Sequence, residues 1–188
     1  MTAMNALEQL SQTVRNLSDI VAHSFSSLSL VDLNYKPAPD KWSMLECLEH
    51  LNRYSRYYNP VLTKAVAQSS SDEIYVTGIN YSWIGKKSLE MVRPQNMKKH
   101  KTVKHMNPNN SQLTRATVEE FLLHQQELLQ LLYDARKVNL NRKAVPVEFF
   151  KLLKMRLGES LEFMVVHQER HIQQALRVKQ ELMKQAAA

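Results

Sequence analysis

The sequence predicts an all-α protein: a four-helix bundle with a long crossover between its second and third helices. Three observations lead to this prediction. The 188 residues include only three glycines and six prolines, too few for the many turns of a β-sandwich or a dinucleotide-binding fold. Apolar residues recur at helical spacing in four separate segments. Residues 72–114 show no sustained period, and a long middle connection lets neighbouring helices of a bundle run parallel.

The first predicted helix spans about residues 4–30. Its apolar residues recur every three or four positions and form one stripe: Leu7, Leu10, Val14, Leu17, Val21, Phe25 and Leu28. The pattern ends before Pro37 and Pro39, which cannot continue a helix.

The second predicted helix spans about residues 43–69. It begins at a capping box, in which the Ser43 side chain accepts from a free amide and Glu46 reaches back. Its stripe runs from Met44 to Leu62 and fades at the serines of 69–71.

The predicted crossover occupies residues 70–116. Aromatic and β-branched residues between 72 and 84 indicate a short extended piece. Pro94 and Pro108 favour a loop in the later half. Because a structureless loop of this length is unusual in a compact domain, we expect its aromatic residues to pack on the bundle.

The third and fourth predicted helices complete a single domain over residues 1–188. The third spans about 117–136 and is expected to begin with a second capping box, Thr117 to Glu120. A polar stretch with Pro146 and a short amphipathic piece from Val147 to Leu157 follow. The fourth helix spans about 159–185.

The formal net charge of +7 raises the question of an anionic partner. It resolves into two basic segments, residues 86–105 and 136–156, each with a net charge of +6, on a body of net charge −5. Segment 86–105 contains no aromatic residue to stack on bases, so nucleic acid is not the favoured partner. A non-enzymatic stress-response or nucleic-acid-binding bundle that uses these basic segments stays open as the alternative function.

Cysteine usage and hydropathy bear on the cellular compartment. The single cysteine, Cys47, excludes a disulfide framework and any zinc site built on paired cysteines. No apolar run approaches the roughly 20 residues of a membrane span. The N-terminal residues lack the features of a signal peptide. We therefore expect a soluble cytoplasmic protein with no membrane partner.

Histidines carry the most informative chemistry of the sequence. His167 and His171 lie four residues apart in the fourth predicted helix, so they share one face beside the apolar stripe. His50 has a similar flanking position in the second helix. Three imidazoles would give a metal ion three protein ligands and leave positions for water or substrate. Histidines at the edge of the core, hydrogen-bonded to carbonyls or carboxylates, are the alternative explanation.

Two motifs resemble the DinB/YfiT-like superfamily. Residues 42–51 begin with Trp-Ser, follow a proline-containing turn and end in His-Leu, which resembles the signature of its second helix. Residues 157–174 end in His-Gln-Glu-Arg-His-Ile-Gln-Gln, which is similar to the signature of its fourth helix. The order and separation of both motifs agree with the predicted bundle.

This resemblance implies a divalent metal ion held by His50, His167 and His171, with zinc, nickel and iron equally suited to three imidazoles. It also implies a metal-dependent hydrolase or thiol S-transferase that activates water or a low-molecular-weight thiol toward a small-molecule substrate. Members of the superfamily often pair, so a homodimer is expected.

Four further residues are candidates for the surroundings of this site: Cys47, Tyr54, His124 and Gln174. Cys47 shares a face with His50, but a lone cysteine on an apolar stripe favours a core role. Tyr54 is expected to wall a pocket or to pack in the core. His124 is interpreted as a partly buried structural histidine, with a ligand or outer-shell role left open. Gln174 lies three residues after His171, where it can orient that ring or line the pocket.

Overall fold

The structure is a computed structural model that describes residues 2–69, 78–96, 98, 101–148 and 150–187. Two one-turn 3-10 helices lie at Lys104–Met106 and Ala135–Lys137. The described residues form six α-helices and one antiparallel hairpin: α1 Ala3–Phe25, α2 Leu30–Leu33, α3 Met44–Ala67, α4 Trp83–Val92, α5 Ala116–Asp134, β1 Lys143–Val147, β2 Phe150–Arg156 and α6 Leu157–Ala186.

The four long helices α1, α3, α5 and α6 form the bundle, which confirms the predicted fold class. Helix α3 packs on both α5 and α6, and α1 packs on the same two helices. In the part of the chain that the structure describes, no helix has the length and apolarity needed to cross a membrane.

Helix ends agree with the prediction at α3 and depart from it elsewhere. The Ser43 capping box is present: Ser43 Oγ accepts from the Glu46 amide at 3.1 Å, and the Ser43 amide donates to Glu46 at 2.8 Å. The first helix ends at Phe25 rather than near residue 30, because Ser29 caps the separate short helix α2.

The capping box predicted at Thr117 is wrong. The chain is already helical at Arg115, with φ −60° and ψ −24°, and α5 begins without a side-chain cap. Thr117 therefore lies inside the first turn, where its amide bonds the carbonyl of Thr114 at 3.1 Å.

The crossover contains a helix that the sequence analysis missed. The buried residues of helix α4 are Gly85, Ser88, Leu89 and Val92, and only the last two are large and apolar. Two such residues are too few to reveal a helical period in the sequence. Residues 72–77 of the extended piece expected over 72–84 lie outside the described residues. Trp83 and Ile84 belong to α4.

The region before α6 forms a hairpin that was not predicted. Strands β1 and β2 pair from Lys143 opposite Arg156 to Val147 opposite Phe150, with one extra residue in β1 after Lys143 and three unpaired residues, 151–153, in β2. Among the described residues β1 pairs with β2 alone, and proline is tolerated in such an edge strand, so Pro146 is compatible with β1. Helix α6 follows directly at Leu157, two residues before the predicted start.

One buried carboxylate joins α4 to the start of α6. Glu159 is 0% exposed and accepts from the Arg156 amide at 2.8 Å and from Ser82 Oγ at 3.0 Å. It also accepts from the Ser82 amide. Because a Cβ atom at position 85 would overlap the carboxylate, Gly85 permits this close approach.

The core consists of two apolar clusters with polar residues between them. One cluster contains Tyr58, Leu62, Leu128 and Leu161 among others, and the second contains Leu48, Phe121 and Ile172 among others. Along α3, α5 and α6, the residues between these clusters are polar and buried: Asn52, Ser55, His124, Gln125, His167 and Gln168. We call these six residues the polar layer.

Replacing Gln125 by leucine is expected to stabilise the protein. Gln125 is 1% exposed, and neither its amide nitrogen nor its amide oxygen has a hydrogen-bond partner in the described part of the chain. An unpaired buried amide costs free energy that an apolar side chain of similar size avoids. We expect the free energy of unfolding to rise by about 1 kcal/mol and the Tm by about 2–4 °C.

Thermal unfolding followed by circular dichroism checks this, with exposed Gln126→Leu on the same helix as the control that should change little. A loss of stability in Gln125→Leu would contradict the expectation and indicate ordered water in the polar layer.

Candidate metal centre

Three buried histidines meet where α3 packs against α6. His50 comes from α3, and His167 and His171 come from successive turns of α6; their exposed fractions are 2%, 4% and 9%. One ring nitrogen of each lies within 4.8 Å of those of the other two. His50 Nε2 and His167 Nε2 are 3.2 Å apart. Two nitrogens bound to one tetrahedral ion lie about 3.3 Å apart, so this separation fits a shared metal.

Hydrogen bonds on the far side of two rings fix which nitrogen faces the cluster. His50 Nδ1 is 2.7 Å from the carbonyl oxygen of Met106, which can only accept, so Nδ1 carries the proton. His171 Nδ1 lies 3.0 Å from Gln174 Oε1 and donates in the same way. In the neutral rings, both Nε2 atoms therefore present lone pairs to the cluster. His167 Nδ1 has no partner among the described residues.

Burial keeps all three imidazoles neutral near pH 7. It lowers the pKa of His50 to about 4, although the Met106 carbonyl partly opposes the shift. Burial also lowers the pKa of His167 and of His171 well below the usual range, and repulsion from neighbouring histidines adds to it. Neutral imidazole is the form that binds a metal ion.

Aromatic side chains wall the cluster. The Trp42 ring lies 4.8 Å from that of His50 and 5.6 Å from that of His171. Tyr54 lies 4.5 Å from the His167 ring, and Phe163 stacks on His167 at 5.5 Å. Burial raises the pKa of Tyr54 to about 12, so its hydroxyl keeps its proton near neutral pH. Of these walls, only Tyr54 was predicted. Trp42 was recognised only as part of a motif, and Phe163 was missed, although it precedes His167 by one helical turn and shares its face.

A short stretch of the crossover, residues 104–107, holds His50 in position; we call it the strap. Arg53, one turn after His50, donates to the carbonyls of His105 at 3.1 Å and Asn107 at 2.9 Å. These carbonyls flank that of Met106, whose side chain is 5% exposed. His105 Nε2 lies 2.5 Å from the Glu148 carboxylate. The strap therefore presents the Met106 carbonyl to His50, a contact with no signal in the sequence.

The remaining candidates have different surroundings. The Cys47 side chain is buried, and burial raises its pKa, so it remains a neutral thiol. Within the described residues, the cluster holds three histidines and neither cysteine nor carboxylate. His124 Nδ1 lies 3.0 Å from Glu127, and its Nε2 lies 3.3 Å from Glu120. It thus lies between two glutamates of α5, and among the described residues it is not one of the three clustered histidines.

The fold and this cluster define a class of protein: a helical bundle with three buried histidines contributed by two facing helices. The chain belongs to the DinB superfamily, whose family model matches residues 9–175. It is 24% identical over 160 residues to the uncharacterized protein YuaE of Bacillus subtilis (strain 168), covering 85% of this chain and 91% of that relative. No solved structure gives a significant match.

Proposed function

We propose that this protein is a metal-dependent enzyme that activates a low-molecular-weight thiol for transfer to a small electrophilic substrate. His50, His167 and His171 would hold the divalent ion. The proposal rests on the proximity of their ring nitrogens. It also rests on the hydrogen bonds to Met106 and Gln174, which leave the Nε2 lone pairs of His50 and His171 facing the cluster. Zinc, nickel or iron held there would supply Lewis-acid chemistry by lowering the pKa of a bound thiol or water.

The donor set favours a thiol over water as the nucleophile. Three neutral imidazoles leave the double positive charge of the ion uncompensated, which favours an anionic ligand such as a thiolate. Activation of water normally uses a nearby general base, and the cluster contains no carboxylate among the described residues. A free thiol, with a pKa of about 8.5, loses its proton far more readily than water does. Hydrolysis at the same centre is the alternative reaction.

The aromatic walls suit this role. Tyr54 has no hydrogen-bond partner among the described residues, and with a pKa of about 12 its hydroxyl is a donor for an anionic sulfur. Trp42, Tyr54 and Gln174 are each partly exposed, so the substrate would reach the cluster past these side chains. Gln174 keeps the His171 ring oriented while the ligand changes.

Thiol binding to the cobalt-loaded protein tests the proposal. We expect 2-mercaptoethanol to produce a saturable near-ultraviolet band from sulfur-to-cobalt charge transfer, and His50→Ala to lack it. Cobalt binding without such a band, together with hydrolysis of an activated ester, would replace thiol transfer by hydrolysis. Failure of the wild-type protein to bind cobalt, zinc or nickel would overturn the whole proposal.

Replacing Arg53 by glutamine is expected to weaken metal binding without removing a ligand. Glutamine cannot bridge the two strap carbonyls, so the Met106 carbonyl would lose its fixed position against His50. Loss of an outer hydrogen-bonding group typically raises the Kd for a metal about 10–100-fold. Competition with a chromophoric zinc chelator measures this Kd.

Arg56→Gln is the matched control. Arg53 and Arg56 lie on the same helix and both pair with Glu49, at 2.8 Å and 3.0 Å. Arg56 makes no hydrogen bond to the strap. Equal zinc affinities in the two variants, with unchanged circular dichroism, would show that Arg53 does not act through the strap.

A further inference from the structure

The two basic segments of the sequence meet on one surface of the fold. Helix α4 carries part of segment 86–105, and β2 carries part of segment 136–156; the two elements pack together. Ser82, which caps α4, and Arg156, which ends β2, both donate to Glu159. We define the hairpin patch as Trp83, Lys86 and Lys87 of α4 with residues 150–154 of β2.

Large apolar side chains of the hairpin patch are open to solvent. The exposed fractions are 85% for Leu152, 73% for Trp83, 48% for Phe150 and 39% for Leu153. All of residues 150–154 are exposed, and residues 151–153 have no paired partner in β1, because Pro146 lies opposite Lys154 and Val147 opposite Phe150. This part of β2 therefore bulges from the hairpin with its side chains in solvent, while Met155, 1% exposed, anchors its end in the core.

Cations surround these apolar side chains. Lys86, Lys87, Lys151 and Lys154 are exposed, against the single carboxylate of Glu90. Only Lys87 has an acidic partner among the described residues, Glu90 at 3.4 Å. The hairpin patch thus combines a net charge of +4, or +3 with Glu90 included, with exposed leucine, phenylalanine and tryptophan.

We propose that the hairpin patch docks this protein on an anionic phospholipid surface. Lipid can surround the apolar residues of such a bulge on all sides, whereas a flat protein surface covers one side. Lysines beside such residues keep their ammonium groups at the level of the anionic headgroups. Such a peripheral contact requires no membrane-spanning helix.

The other occupants fit less well. A second copy of this chain would bring two positive patches together. Nucleic acid could stack on Trp83 and Phe150, but it would leave the aliphatic side chains of Leu152 and Leu153, 85% and 39% exposed, without a partner. The sequence alone indicated no membrane partner, because α4 and β2 come from separate segments that only the fold brings together.

Sedimentation of the full-length protein with vesicles tests the proposal. We expect binding to phosphatidylcholine vesicles containing phosphatidylglycerol, little binding to phosphatidylcholine alone, and weakening by salt. Leu152→Ser and the double variant Lys86→Gln/Lys87→Gln should each lower the partition coefficient roughly tenfold. Val31→Ser on α2, where Val31 is 81% exposed, is the matched control and should bind as wild type does. Tryptophan emission should shift to the blue on binding, and Trp83→Phe should abolish the shift.

Three kinds of result would overturn the proposal. The first concerns vesicles: either no binding to the anionic vesicles, or equal binding by wild type and a folded Leu152→Ser variant. Another is a lipid-free dimer that Leu152→Ser dissociates in light scattering, which would assign the patch to a second copy. The third is retention on DNA that Leu152→Ser abolishes while vesicle binding is unaffected.

Discussion

We expect His50→Ala to reduce bound zinc from about one ion per chain to near zero, which is the largest functional effect predicted for a single substitution here. His50 is the one nitrogen donor of the cluster that α3 supplies, so its loss leaves two ligands on α6 alone. A ligand that binds only the folded state at about 1,000 times its Kd stabilises it by about 4 kcal/mol. We therefore expect chelation to lower the Tm of wild type and to leave that of His50→Ala unchanged.

Elemental analysis of protein loaded with zinc by dialysis, after removal of any affinity tag, measures the stoichiometry. His23→Ala is the matched control, because His23 is exposed on α1 and its Nδ1 lies 2.7 Å from the carbonyl oxygen of Asp19 on the same helix. We expect His23→Ala to keep its metal. Full zinc stoichiometry in a folded His50→Ala variant would contradict the ligand assignment.

We expect Glu159→Ala to cost about 3 kcal/mol of folding free energy, the largest structural effect predicted. The alanine variant would leave two partly buried backbone amides without this acceptor, at Ser82 and Arg156, where α4 and α6 begin. It would also remove one link between the crossover and the bundle. Denaturant unfolding should show a lower midpoint, and the Tm should fall by about 6–12 °C.

Glu162→Ala separates this effect from the loss of any glutamate on α6. Glu162 lies one turn later, is partly exposed, and makes a hydrogen bond to the Tyr81 hydroxyl at 2.5 Å. We expect its replacement to cost less than about 1 kcal/mol. Equal losses of folding free energy in the two variants would show that Glu159 does not stabilise the protein by accepting from the Ser82 and Arg156 amides.

Helix starts and apolar stripes were open to prediction because they depend on neighbours within a few residues. The Ser43 capping box is such a case: both partners lie within one turn, and the structure contains it. The failure at Thr117 shows the limit, since the same motif lost its role once the chain became helical at Arg115. Helix α4 was missed because two large buried side chains do not make a period.

The sequence by itself determined which residues can form the site. The four-residue spacing of His167 and His171 places them on one face of a helix, and the family resemblance adds His50. Their proximity, with the 3.2 Å separation of two ring nitrogens, required the packing of α3 on α6.

Only the tertiary structure decided what surrounds that site and which side chains connect distant segments of the fold. The Met106 carbonyl lies 56 positions from His50, and Glu159 reaches Ser82 across 77 positions. Such contacts leave no periodic signal, because a carbonyl or a carboxylate can serve any donor that folding brings near it. Local spacing fixed the helices, the histidine face and the Gln174 contact that orients His171, and the packing of distant segments fixed the orientation of His50.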